Sequence, residues 1–234
     1  MKKLIFVFFW LLLLGQASCS GEHRQTQSSD ISLERSGSLT IIYKGGADSG
    51  FSDDEKDLIT DLLTHAEQEV RALLPALPDA IEVTAMAIDR NVDVVGGVTG
   101  RADAPGKVLI EFSSVFPGGI SAAAEGALSS TIFHEFHHLA RGWTIQGNKF
   151  GRGIPIAAVN EGLATVFAEE YTGVYYEEAY SYPEDADAWL QEILALPADA
   201  DYSTWMMGEH PDGRNSIGYR VGRYIVHQAI ANSG

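Results

Sequence analysis

The sequence predicts an α+β fold, with a few strands first and helices filling the second half. Three observations point there. The runs richest in β-branched residues, "SLTIIYKG", "AIEVTAMAI" and "KVLIEF", all precede the middle of the chain. Beyond them apolar residues recur at helical spacing, in segments near 121–141, 155–171 and 184–195 and a last one from Ser216 to Ile230. No internal repeat and no sustained strand–helix alternation is visible, so a parallel doubly wound sheet is not expected.

The 234 residues suffice for one domain with a core of its own. Residues 1–18 read as an export signal. Lys2 and Lys3 precede "LIFVFFWLLLL", whose 11 residues are too few for a spanning helix of roughly 20. Ala17 and Ser18 then stand before Cys19, the single cysteine. This resembles a bacterial lipoprotein signal, which implies a lipid anchor on Cys19, although Gln16 stands where leucine is usual. The alternative is plain secretion after cleavage near Ala17. One cysteine excludes an internal disulfide. Residues 19–37 are polar and aperiodic and read as a tether, with His23 solvated within it. The domain proper is expected over 38–234.

Within it, "SLTIIYKG" is the first strand. A helix follows from Ser52, which caps it, with Asp53, Asp54 and Glu55 in the first turn, where the helix dipole favours acids. Leu58, Leu62, Ala66, Val70 and Leu73 keep helical spacing and leave His65 on the surface. "AIEVTAMAI" is the second strand. The glycine-rich stretch after it leads into the third, "KVLIEF", expected at the sheet edge, with an ordinary core strand as the alternative.

The densest chemistry lies in "STIFHEFHHLARG". His134, Glu135 and His138 form H-E-x-x-H on a proline-free helical stretch stopped by Gly142. At about 100° per residue, His134 and His138 lie about 40° apart on successive turns, so both rings can reach one metal ion. Glu135 lies about 60° from His138, on the edge of that face, where it can reach a water on the metal without ligating it. Leu128, Ile132, Phe136 and Leu139 fall on the opposite side. The rival pair His134 and His137 would leave Glu135 facing away from the metal, so His137 is expected to pack beside the site. A zinc hydrolase usually takes three protein ligands and keeps the fourth position for water. Downstream, "IPIAAVNEGLATVFAEEY" reads as a helix with Pro155 near its start, and its Glu161 is the candidate third ligand. Glu169 and Glu170 are competitors two turns further on.

HEFHH followed by "NEGLA" resembles the gluzincin metallopeptidases. It is most similar to a family of uncharacterised zinc-dependent proteases in which H-E-x-x-H precedes E-G-L-A. The similarity takes in "GGVTGRADAPGKVLIEF" and "GYRVG" and spans roughly residues 90–230. It implies a zincin-like arrangement, a small sheet whose edge strand packs on the H-E-x-x-H helix. It implies one Zn²⁺ on His134, His138 and Glu161, with Glu135 as general base in peptide-bond hydrolysis. In many gluzincins an aspartate one turn beyond the ligand glutamate orients the first histidine, and Thr165 stands there instead.

Charge narrows the partners. With 16 basic and 32 acidic residues the net charge is −16, and loss of Lys2 and Lys3 with the signal takes it to −18. Nucleic acid and anionic lipid are therefore unsuited to its surface, and membrane attachment would need the lipid on Cys19. The expected partner is a peptide or protein substrate lying along the edge strand. Two alternatives remain at this point: a non-catalytic surface lipoprotein on the same fold that binds a peptide or envelope partner, and an iron(II) site on the same three ligands. Tyr219, on the last helix, is preferred over His210 as a hydrogen-bond donor to the oxyanion. Gly218 and Gly222 would let that helix press on a neighbour. "YTGVYYEEAYSYPEDADAW" reads either as a cleft wall or as an amphipathic surface, and the surface is the expectation.

Overall fold

The computed structural model describes residues 30–36, 38–45 and 50–233, so residues 1–18, read above as an export signal, and Cys19 lie outside the described residues. The chain is α+β, with five strands followed by a largely helical half. The strands are β1 (Asp30–Ser36), β2 (Leu39–Gly45), β3 (Ile81–Ile88), β4 (Val98–Ala104) and β5 (Lys107–Ser113). They form one sheet in the order β1-β2-β3-β5-β4, parallel for β2–β3 and β3–β5 and antiparallel at both ends.

Two sequence expectations change here. Asp30–Ser36 belongs to the sheet rather than to a tether, since it pairs along its length with β2. Its polar composition hid it, because main-chain pairing does not depend on apolar side chains. "KVLIEF" is not the edge strand. It is β5, between β3 and β4, with Val108, Ile110 and Phe112 buried. The edge on that side of the sheet is β4, inside the stretch read only as glycine-rich. The turn Pro105-Gly106, with Gly106 at φ 73°, folds β4 back onto β5, and that dipeptide was the available signal.

The backbone of β4 has a definite outward side. Gly97 accepts from the Ser113 amide and so faces β5. The carbonyl of Ala102 accepts instead from the amide of Ile145, outside the sheet. Antiparallel alternation therefore turns Val98 and Gly100 outward with Ala102.

Helix α1 (Asp53–Leu73) starts as expected, with Ser52 and Glu55 forming a reciprocal capping box. Its buried stripe is Ile59, Leu63, Ala66 and Val70. Leu58 and Leu62 flank this stripe, and Leu73 is exposed, so the packed face is turned by one residue from the expected one. A short helix α2 (Gly119–Ala123) runs through a π turn at Ala124–Leu128 into α3 (Ser129–Arg141), the H-E-x-x-H helix. Leu128, Ile132, Phe136 and Leu139 join α1 and the sheet in the main core.

The helical half comprises α4 (Ile154–Thr172), α5 (Glu177–Tyr180), α6 (Ala186–Leu194) and α7 (Ile217–Ser233). A second core forms there from Ile154, Ala157, Ile193, Met206, Ile217 and Val221. The two cores are held together through α4, which packs on α3 and on α7. Against α7 the approach is close enough to exclude any side chain. A Cβ on Gly162 would lie 2.2 Å from the carbonyl carbon of Gly222, and one on Gly222 would lie 2.0 Å from the Ala158 oxygen.

Candidate metal centre

The H-E-x-x-H face of α3 and the middle of α4 meet at the floor of a cleft of about 1380 Å³. Its walls are β4, the turns around Asn91–Val95 and Trp143–Gly153, and the segment before α7. Three side chains converge on the floor. His134 Nε2 lies 3.1 Å from Glu161 Oε2, His138 Nε2 lies 3.1 Å from the same oxygen, and the two ring nitrogens are 3.0 Å apart. The rings stand edge to face, with centroids 4.6 Å apart.

Three donor atoms so spaced share a point about 2.0–2.1 Å from each, the usual Zn–N and Zn–O bond length. Two imidazole nitrogens and one carboxylate oxygen in mutual contact are better satisfied by a cation than by one another, since no tautomers of two neutral rings make all three contacts favourable at once. The donor set therefore fits zinc. Among the described residues, no other group of three histidine, cysteine or acidic side chains converges in this way. Glu169 takes no part, because it holds Arg223 at 2.9 Å.

Two buried carboxyls sit here with opposite protonation tendencies. Burial pushes Glu161 up, but His138 and His134 beside it outweigh this and hold it well below the ordinary carboxylate range. Burial pushes Glu135 up to about 8; the charge of His138 opposes this and that of Glu161 adds to it. Oε2 of Glu135 has no partner among the described residues. Room for this side chain comes from Gly100 of the edge strand, where a Cβ would lie 2.6 Å from Glu135 Cγ.

His137 is buried, with its ring 5.2 Å from Phe167. Burial lowers its pKa to about 3, helped by the charges of His138, His134 and Arg141, so it packs as a neutral ring. Thr165 is buried and its hydroxyl has no partner among the described residues, so it does not orient a histidine as an aspartate would. The His134 ring instead has an aromatic neighbour: its centroid lies 6.4 Å from that of Tyr219, which lies 5.8 Å from that of Tyr180.

Tyr219 lines the cleft and His210 does not. His210 packs on Trp205 and pairs with Asp212 at 2.8 Å. Ser216 adopts φ 48°, and its carbonyl accepts from the Arg220 amide at the start of α7. The tyrosine-rich segment, expected on the surface, forms part of the wall through Tyr176 and Tyr180. Arg220 of α7 draws it in by donating to the carbonyls of Ser181 and Glu178. Desolvation pushes the phenols of Tyr180, Tyr202 and Tyr219 upward, and the charges of Glu161 and Glu135 add to this, so all three remain O–H donors.

Sequence reasoning missed Trp143. Its indole N–H donates to Glu161 Oε1 at 2.8 Å. The signal was its place immediately after Gly142, the stop of the H-E-x-x-H helix.

A family profile described as "Predicted Zn-dependent protease (DUF2268)" matches residues 60–234. The match takes in both helices of the candidate site, β4 and α7. No curated protein matches the chain.

Proposed function

The chain belongs to the family of predicted Zn-dependent proteases (DUF2268), and we propose that it hydrolyses peptide bonds with one zinc ion held by His134, His138 and Glu161 in the gluzincin manner. The observation that supports this most is the convergence of three donor atoms beside a buried carboxyl that is not one of them. Zinc supplies Lewis acidity, making water nucleophilic near neutral pH and polarising a carbonyl.

The chain's own residues supply the rest. Glu135 accepts the proton of the attacking water and passes it to the leaving amine. Burial raises its pKa, and positive charge at the metal position would oppose this and favour the ionised form that a base needs. An extended substrate adds to the free edge of β4, where the outward backbone groups of Gly100 and Val98 offer strand-to-strand hydrogen bonds. Such pairing reads main chain rather than side chains.

Peptide hydrolysis by the purified protein, abolished by a chelator and restored by zinc, tests this reading. A zinc-loaded protein with no hydrolysis of unstructured polypeptide would favour a binding role instead. Tyr219 donates to the oxyanion in this scheme. Tyr219→Phe is expected to lower kcat and kcat/KM together, as loss of a contact made in the transition state does. Unchanged kinetics there, with a large loss in His210→Ala, would reverse the assignment. Export and lipidation at Cys19 complete the proposal. The intact mass of the mature protein reads them directly, and an unmodified Cys19 would remove the anchor.

A further inference from the structure

We infer that Trp143 is a positioning residue of the metal site, holding Oε1 of Glu161 so that Glu161 presents the single oxygen Oε2 to the ion. The inference rests on the zinc reading above. The two carboxylate oxygens have separate partners: Oε2 lies 3.1 Å from both histidine nitrogens, while Oε1 receives the indole N–H at 2.8 Å. Glu161 is only 5% exposed, so solvent competes little for either oxygen.

The indole is itself placed by the end of α3. Gly142 adopts φ 80°, and the amides of Gly142 and Trp143 both donate to the His138 carbonyl, which closes the helix and aims the next side chain back along it. The Gly142 carbonyl in turn accepts from the Lys149 amide at 3.1 Å, which ties this turn to the loop that follows. The ring packs edge to face on Phe150 at 6.0 Å and against the second core. Trp143 is thus bonded through its backbone to one ligand residue and through its side chain to another.

The chemistry of the donor matters. An indole N–H only donates, does not titrate and cannot replace the carboxylate as a ligand. With Oε1 engaged by the indole, Oε2 is the oxygen left to face the metal position. A carboxylate binding through both would take coordination space that a hydrolytic site keeps for water and the substrate carbonyl. Partners that orient ligands in this way typically affect metal affinity by about 10–100-fold.

The test uses the full chain, loaded with zinc or cobalt(II). Trp143→Phe keeps an aromatic ring against Phe150 and removes the N–H. Zinc affinity, measured by competition with a chromophoric chelator, is expected to fall about 10–100-fold. The visible bands of the cobalt protein are expected to weaken as Glu161 swings to two-oxygen binding and the coordination number rises. If the phenylalanine variant does not fold, 3-benzothienylalanine at position 143, with sulfur in place of N–H, gives the same comparison in an unchanged shape. Zinc affinity within twofold of wild type and an unchanged cobalt spectrum would overturn the inference while leaving the zinc reading intact. A wild-type protein that binds neither ion would overturn that reading, and this inference with it.

Discussion

Glu135→Gln is expected to retain one zinc ion per chain while losing peptide hydrolysis by about 10²–10⁴-fold. The amide has nearly the shape of the carboxyl and sits in the same space beside Gly100. Glu135 is also not among the three converging donors, so the ion keeps its ligands. What the amide lacks is a site that accepts a proton from water and gives it to an amine. The expected signature is therefore a split, with metal content unchanged and turnover lost. Near-normal hydrolysis by the zinc-loaded variant would remove Glu135 from the mechanism. Loss of zinc together with activity would mean that Glu135 is a ligand.

Gly222→Ala is expected to destabilise the fold by about 3 kcal/mol, at the upper end of what overpacking costs. On an open helix face the same change stabilises by about 1 kcal/mol through helix propensity, so the sign is informative as well as the size. The added carbon would lie 2.0 Å from the carbonyl oxygen of Ala158 on α4, and backbone cannot rotate away as a side chain can. The helices must separate, which moves Tyr219 on α7 relative to Glu161 on α4. For a domain of this size the melting temperature should fall by roughly 6–12 °C. A rise, or a change within 2 °C, would show that the close crossing is absent in solution.

Much of the site was legible because its information is local. The spacing of His134 and His138 fixes their common direction on any helix, and Gly142 marks that helix's end. The capping box at Ser52 and the small residues of α7 were readable for the same reason. Pairing between strands was less legible. β4 has only Val98, Thr99 and scattered alanines to announce a strand, and its role comes from Gly100, whose value is the absence of a side chain beside Glu135. "KVLIEF" looked like an edge because nothing in its own residues states what lies on its far side. Trp143 and Tyr180 reach the cleft through a helix-ending turn and an arginine anchored on α7, and neither geometry follows from spacing along the chain. The expectation that the surface suits neither nucleic acid nor anionic lipid rests on net charge alone. The segment read as an export signal and Cys19 lie outside the described residues and rest on the sequence reading.

The most direct test of the metal assignment is elemental analysis of the purified protein beside four single variants. One zinc per chain is expected in the wild type and in His137→Ala, whose ring packs on Phe167. His134→Ala, His138→Ala and Glu161→Ala should each lose stoichiometric zinc while remaining folded. A wild type without zinc, or a His137→Ala protein that loses zinc while His138→Ala keeps it, would contradict the assignment.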